Sequence, residues 1–418
     1  MDLSDVASEL SLSLELIKKL EAGWKESLET FRQCPPFLEH HQAEDNLIYC
    51  SVPEDAIRQV LAALDHITAS PVLTRFAWHC YRRLFFSEDF IAWPKTEEAN
   101  DLLGIIYLCV GAAMAPMVRE KHRQMGIPPE ITRDTCLEVS CFCRNHQYSH
   151  QGKAGIIDQQ LSWLRHYPAG RLFRLGRFEY KLNQYAQSGP VFRHRQYGWK
   201  LAFCENSCTF DAQGFRAETG WEALYHEDAD SVTGHPIDPH GFAVARQIRI
   251  DLTQWERILS PGETIIDLHI PAGGGMKLPL CKASFEAAFD FFSRYFPDTA
   301  PDVIACRSWI FNTQFEEHLP SSNLANLMRQ TYLTPVPSTG RDGIFFVFCR
   351  ELTDQELDDA PRETSLQRLM LDLLKSGTPL RSGGMFLHRE ELPRLGMCPY
   401  REDWVAAQQR HVWSPITT

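Results

Sequence analysis

Between His269 and Met276 the chain reads HIPAGGGM, and the two sides of this stretch follow different periods. Before it, Thr264 to Ile270 alternates with a period near two, the pattern of a strand; after it, Leu280 to Phe296 repeats apolar residues three and four apart, the pattern of a helix. A strand that ends in a glycine-rich turn and opens a helix belongs to a sheet covered by helices. Such a turn presents backbone N–H groups, and the helix dipole favours an anion there. Gly273, Gly274 and Gly275 carry no Cβ, so a phosphate can come close to the backbone. The stretch is neither Gly-x-Gly-x-x-Gly nor a P-loop ending in Gly-Lys-Ser/Thr, and taken alone it reads as a flexible strand-to-helix turn.

Upstream the pattern is helical. Leu14, Ile17, Leu20 and Trp24 recur at helical steps, as do Ala56, Val60, Leu61 and Leu64, and Val72 to Phe90 and Thr132 to His150 continue the pattern. Cys34-Pro-Pro and Ile127-Pro-Pro break it. Gln151-Gly-Lys-Ala-Gly155 reads as a link, which places an all-helical domain at residues 1–155 and a second domain at 156–418. In the second, Arg171–Lys181, Thr264–Ile270, Val303–Ile310 and Ile344–Cys349 read as strands, and Leu280–Phe296, Gln314–Leu319, Leu324–Thr331 and Leu366–Leu374 as helices. Thr364-Ser-Leu-Gln367 has capping-box spacing. Gln187 to Gln247 is rich in Gly, His, Asp and Pro and reads as long loops or hairpins. The fold class is α+β: a helical N-terminal domain followed by a mixed α/β domain whose central sheet is flanked by helices.

The charge of −12 argues against a broad phosphate-neutralising surface, and so against nucleic acid as a partner. Thirteen cysteines without disulfide spacing, and no basic-then-apolar leader, lead us to expect a cytoplasmic protein with reduced thiols. Leu102 to Val118 is uncharged and mostly apolar but shorter than the roughly 20 residues of a span. With Gly104, Gly111 and Pro116 inside it, a buried helix is expected rather than a membrane crossing. Cys136, Cys141, Cys143, His146 and His150 lie close together, yet lack a second ligand pair at zinc-finger spacing, so no metal site is expected. A metal-dependent hydrolase ranks last among the readings.

GRLFRLGRFEY (Gly170–Tyr180), VTGHPIDPHG (Val232–Gly241), LHIPAGGGM (Leu268–Met276), CRSWI (Cys306–Ile310) and TSLQRLMLDLLKSG (Thr364–Gly377) occur in this order. Together they resemble a bacterial two-domain acyltransferase family, with a helical N-acyltransferase N-terminal domain followed by a GNAT-like C-terminal domain. The resemblance runs to about Leu387, leaving the remainder as a C-terminal extension. It implies an acyl-CoA-dependent acyltransferase acting on an amine of a small molecule, with acyl-CoA or CoA as co-substrate and no permanently bound cofactor. It further implies that Ile270, Ala272, Gly273, Gly274, Gly275 and Met276 hold the CoA, the glycines and Met276 cradling its pyrophosphate. The strands Thr264–Ile270 and Val303–Ile310 would splay to admit the pantetheine arm, and a backbone N–H on the first would polarise the carbonyl. Two roles stay open for the helical domain: covering the acyl channel, or making a homodimer contact.

Amide formation from a thioester needs a proton acceptor for the amine and a polarised carbonyl. Asp267 and His269 lie two apart and share a strand face, where a carboxylate can orient an imidazole and raise its basicity. Glu179 lies on the strand that resembles the family's Leu-Gln-Phe-Glu run and is the competing base; a surface pairing with Arg177 or Lys181 is its bland alternative. Cys306 and Ser308 share a face of the other splayed strand, where Ser308 could hydrogen-bond substrate or thiolate and Cys306 is a small core residue. Phe178-Glu-Tyr-Lys181 departs from the family run, and Arg307 stands where a His is common. Those departures motivate the alternative reading, a GNAT-like acyl-CoA-binding or regulatory protein without catalysis.

Overall fold

A computed structural model of the chain describes residues 2–31, 33–96 and 99–416. Compactness divides the chain into two units: Met1–Leu175 with Pro271–Gly273, and Gly176–Ile270 with Gly274–Thr418.

The first unit is helical. Glu54–Ala69 buries Ala56, Val60, Leu64 and Ile67, a stripe at helical spacing. Pro71–Phe86 starts where the Ser70 hydroxyl accepts the Leu73 N–H at 3.2 Å, with proline pre-set in the first turn. Leu103–Ala112 is buried almost all round and is followed at once by Met114–Met125. Residues 103–125 are long and apolar enough to cross a membrane by length and composition, yet 72% of that apolar window is buried inside the protein. At Gly111 a Cβ would lie 2.8 Å from Leu164 and 2.9 Å from Ile156, so glycine permits the close approach. Ile156, Leu161, Leu164, Tyr167 and Leu172 join the same apolar core, and the compact unit therefore extends past the Gln151–Gly155 link.

The expected helix from Thr132 to His150 is two helices, Pro129–Thr135 and Glu138–Ser149. The Thr132 and Thr135 hydroxyls bond the carbonyls four residues back, at 3.1 and 2.7 Å, and compete with the backbone ladder just before the break. His146 and His150 stack 4.0 Å apart, and His146 Nδ1 bonds the Lys153 carbonyl at 2.8 Å. No group of metal ligands forms among the described residues.

The second unit is built on a central sheet. Its strands lie in the order Phe178–Gln184, Thr264–His269, Val303–Ser308, Gly383–His388 and Tyr332–Pro335. All neighbours are antiparallel except Thr264–His269 and Val303–Ser308, which run parallel. The helix Leu278–Tyr295 makes that parallel crossover and buries Cys281, Ser284, Phe285, Ala288, Phe289, Phe291 and Phe292. Its Ser284 hydroxyl accepts the Phe178 N–H at 3.1 Å and pairs with the Tyr180 hydroxyl at 2.9 Å, while Phe285 stacks on Phe178. Between the first two sheet strands the chain folds into short strands: Val191–His194 and Lys200–Phe203 pair antiparallel within the Gln187–Gln247 stretch expected as loops or hairpins, and Trp255–Leu259 follows it.

Three expectations are corrected. Ile344–Cys349 is not a strand: Ile344–Phe348 is a short helix, started by Gly343 and ended by Cys349, both left-handed. Its apolar run is compatible with either state, and packing of Ile344 and Phe348 with Met370 and Leu371 selects the helix. The Arg171–Lys181 strand is interrupted at Gly176, whose φ is +69°, giving Phe173–Leu175 and Phe178–Gln184. Gly383–His388 and Tyr332–Pro335 join the central sheet without having been expected. At Gly383 and Gly384 a Cβ would lie 2.1 Å from the Phe311 carbonyl oxygen and 2.3 Å from Thr334 Oγ1, so a pair that reads as a turn is a close strand contact. The Thr364–Gln367 capping box is formed, with both reciprocal bonds near 3 Å.

Buried imidazoles give the fold an acid limit. Burial lowers the pKa of His79 to about 3, of His122 to about 4 and of His388 to about 3. Unfolded, each titrates near 6.5, so below that pH the unfolded chain takes up protons that the folded chain refuses. This contribution to stability is complete above the unfolded pKa and is lost as pH falls toward the folded values. Thermal denaturation between about pH 7.5 and 4.5 is expected to show a steady fall in Tm, shallower for His388→Gln; a flat profile contradicts it.

Candidate active site

Antiparallel register sets the face of each side chain. His269 lies opposite Glu179, Asp267 opposite Lys181, and Ile265 opposite Asn183. Residues directly opposite share a face, so Glu179, Lys181, Asn183, Asp267 and His269 stand on one side. Tyr180 and Leu182 pair with Leu268 and Ile266 on the other, the side that the Leu278–Tyr295 helix covers through Phe178 and Tyr180.

One carboxylate oxygen organises the polar face. Asp267 Oδ2 lies 3.1 Å from His269 Nε2, accepts from Asn183 Nδ2 at 2.9 Å and is 3.7 Å from Lys181 Nζ. Burial pushes the Asp267 pKa up, but the hydrogen bond and charge of His269, the Asn183 amide and the Lys181 ammonium outweigh it and hold the carboxyl below its ordinary value. The acid–imidazole pair expected from alternation is therefore made. Asn183 and Lys181 were missed as its supports, although their two-residue spacing from Glu179 was the available signal.

Glu179 is 1% exposed, so it is not the surface ion-pair partner of the bland alternative. The Arg177 Nε donates to the Gly275 carbonyl at 2.6 Å. The Ser308 hydroxyl accepts the Ile310 N–H at 3.3 Å and caps the Trp309–Phe311 turn. Cys306 is buried, and burial together with the nearby Asp267 charge raises its pKa well above the ordinary thiol value, consistent with a core residue.

Beyond His269 the glycine turn takes an unusual path. Gly273, Gly274 and Gly275 all have positive φ, at 81°, 72° and 65°. Three successive left-handed residues are accessible to glycine and costly for any residue with a Cβ. Ala272 to Gly275 are exposed, Ile270 is half-buried and Met276 is buried. The helix begins at Leu278 with Lys277 at its cap, so its first N–H groups and the positive charges of Arg177 and Lys277 lie on this turn. An anion is favoured here by backbone, dipole and charge together.

The two parallel strands part beside this turn. Their pairing is confined to Ile266–Ile304 and Asp267–Ala305, while each stays paired to its other neighbour along its whole length. Beyond Asp267 and Ala305 the ladder between the two strands ends, and this break in pairing is the wedge.

A helical unit followed by a mixed sheet with a splayed parallel pair, a glycine turn and a crossover helix defines the two-domain acyltransferase fold. The chain belongs to the family with a GNAT-like C-terminal domain, whose model matches residues 172–387; the model of an N-acyltransferase N-terminal domain matches 41–170. Among curated proteins none matches the chain. Similar solved structures include an acyltransferase in complex with decanoyl-CoA and teicoplanin, 22% identical, with a TM-score of 0.61 over 93% of this chain and 99% of that one. Another is an acyltransferase in complex with CoA and 10C-teicoplanin, with the same identity, TM-score and coverage. An acyltransferase mutant in complex with octanoyl-CoA has 22% identity and a TM-score of 0.60 over the same shares.

The backbone of the turn yields a direct test. At Gly274 a Cβ would meet Arg177 Cδ at 3.2 Å in addition to the left-handed strain. Gly274→Ala is expected to lose about 1–2 kcal/mol of stability in denaturant unfolding, whereas an unchanged midpoint would mean that the turn does not hold this path.

Proposed function

We propose that the chain transfers an acyl group from a CoA thioester to an amine of a small molecule. The observation that carries this reading is the left-handed glycine turn at the mouth of the splayed strands, between the Asp267–His269 pair and a helix N-terminus. Solved structures of the same fold hold CoA, decanoyl-CoA or octanoyl-CoA, and two of them hold teicoplanin or 10C-teicoplanin. Thirteen cysteines without disulfide spacing support a cytoplasmic location as part of the same proposal.

In this reading the N–H groups of Gly273, Gly274, Gly275 and Met276 hold the pyrophosphate, with Ile270 and Ala272 flanking it. The wedge beyond Asp267 and Ala305 receives the thioester arm. The amine nitrogen attacks the thioester carbonyl, its new N–C bond forms as the C–S bond breaks, and CoA leaves as the thiolate. Backbone N–H on the first splayed strand polarises the carbonyl oxygen. His269 takes the amine proton, and Asp267, itself held by Asn183 and Lys181, orients the imidazole. Glu179, opposite His269, is the competing acceptor. Ser308 keeps its O–H to donate to substrate or thiolate.

Isothermal titration with CoA and decanoyl-CoA is expected to show binding that Gly274→Asp abolishes, because bulk and negative charge then meet the phosphates. No binding of any acyl-CoA overturns the proposal, and tight binding without turnover across a broad amine panel turns it into a binding protein. Steady-state kinetics separate the two proton acceptors. His269→Ala is expected to lower kcat by about a hundredfold or more with acyl-CoA affinity retained. Collapse of turnover in Glu179→Gln, with comparable turnover in His269→Ala, moves the role to the glutamate.

A further inference from the structure

A second polar site lies in the sheet unit, away from the Asp267–His269 pair. Residues 336–340 and 379–382 close a cavity of about 210 Å³ against Asp211, Phe215, Arg216 and Ala217. Two arginines line it. Arg381 lies over the Phe215 ring at 3.7 Å, and its Nη2 donates to Gln213 Oε1 at 3.1 Å. Burial lowers its pKa, so this cation is partly stripped of water. Arg216 lies 5.3 Å from the Phe210 ring, and its Nη1 is buried without a hydrogen-bond partner. Cys208, near Arg216, is kept protonated by burial and supplies no countercharge.

The acidic groups here do not satisfy both arginines. Asp211 Oδ2 is 3.9 Å from Arg381, while its Oδ1 accepts the backbone N–H groups of Gln213 and Phe215 at 2.9 and 3.0 Å. Glu317 also acts on Arg381 through space, and Asp342 is occupied by the Thr339 N–H and hydroxyl. A third cation stands at the sheet edge: Arg307, which the sequence marked as a departure from the family, is exposed and donates to the Pro337 carbonyl at 3.3 Å. The residues that line the cavity themselves carry two cations, Arg216 and Arg381, against one carboxylate, Asp211, and one buried N–H that lacks an acceptor.

Sheet topology places this cavity near the proposed chemistry. Ser308 and Pro335 both pair with Gly383, so Val336, Ser338 and Leu380–Ser382 lie just past the edge where Val303–Ser308 ends. Thr264–His269 runs parallel to that strand and ends at the same edge, two strands from Gly383–His388. Two strand spacings are roughly 10 Å in a regular sheet, and because the two parallel strands part beyond Asp267 and Ala305 this is the least separation at that edge. The cavity falls below the about 300–1,000 Å³ of a site that encloses a whole drug-sized ligand, so it has room for only one end of a larger molecule.

We propose that this cavity is a carboxylate subsite, in which Arg216 and Arg381 hold the acidic end of an acceptor whose amine lies at least roughly 10 Å away at His269. Paired guanidinium donors suit a carboxylate. The spacing sets the substrate class. An α-amino acid is too short to reach from one group to the other, whereas an extended peptide at about 3.3 Å per residue needs at least three residues to span the gap. This inference rests on the acyltransferase reading for the place of the amine, but not for the binding of the carboxylate.

Triglycine and its C-terminal amide are the probes. Isothermal titration is expected to show triglycine binding at least tenfold more tightly than triglycinamide, and Arg381→Gln is expected to abolish that preference, with circular dichroism reporting a retained fold. Arg216→Gln repeats the test from the opposite wall if the first variant does not fold. Equal binding of acid and amide to the unaltered protein overturns the subsite. So does displacement of triglycine by inorganic phosphate at concentrations where acetate has no effect, which would reassign the cavity to phosphate. With decanoyl-CoA present, the acid is expected to show at least a tenfold lower KM than the amide. Carboxylate preference without acyl transfer to any amine leaves the subsite standing and removes the acyltransferase reading; transfer to both peptides at equal KM does the reverse.

Discussion

The register between Phe178–Gln184 and Thr264–His269 governs what the second unit can present. Because side chains alternate, a slip of one residue would turn Asp267 and His269 toward the Leu278–Tyr295 helix and carry Ile266 and Leu268 to the polar face. Several bonds resist such a slip. Ser284 on the helix takes the Phe178 N–H and the Tyr180 hydroxyl, Phe285 stacks on Phe178, and past the last pair the Tyr185 N–H donates to the Glu263 carbonyl at 2.8 Å. The polar face is thus fixed from behind by apolar and hydrogen-bonded packing. On the face itself, Asp267 gathers an imidazole, an amide and an ammonium around one oxygen, a satisfied arrangement for a largely buried carboxylate.

The same strand does a second thing on its other edge. Its ladder to Val303–Ser308 stops at Asp267 and Ala305, and the chain then enters three left-handed glycines before the helix begins. Backbone groups that a continuous sheet would consume are left at the mouth of the wedge, beside the helix N-terminus and two cations. Arg177 braces the turn through the Gly275 carbonyl, linking the anion-favouring loop to the strand that carries Glu179. The Asp267–His269 pair and the glycine turn thereby stand at the two ends of a few residues of chain.

Much of this was legible residue by residue. Alternation in Thr264–Ile270 put Asp267 and His269 on one face, and the three- and four-residue steps after Leu280 gave the crossover helix. Legibility failed where local pattern is ambiguous or where the determinant is distant. Ile344–Phe348 is a short apolar run that either state accommodates, and its partners Met370 and Leu371 lie beyond sequence range. Gly383 and Gly384 look like a turn, yet the Phe311 carbonyl and the Thr334 hydroxyl require them in a strand. Asn183 and Lys181 carry no motif, and their role exists only because another strand brings Asp267 to them.

By itself, then, the sequence determined the order of helical and sheet regions, the strand–glycine turn–helix unit and the pairing of Asp267 with His269, because periodicity, caps and glycine conformation act over a few residues. Tertiary structure alone decided that the parallel strands part after Asp267, that Glu179 stands buried opposite His269, and that Arg216 and Arg381 meet across a cavity. Those features depend on strand order and register between segments tens to more than a hundred residues apart, set by how side chains of different segments pack, and no local pattern encodes them.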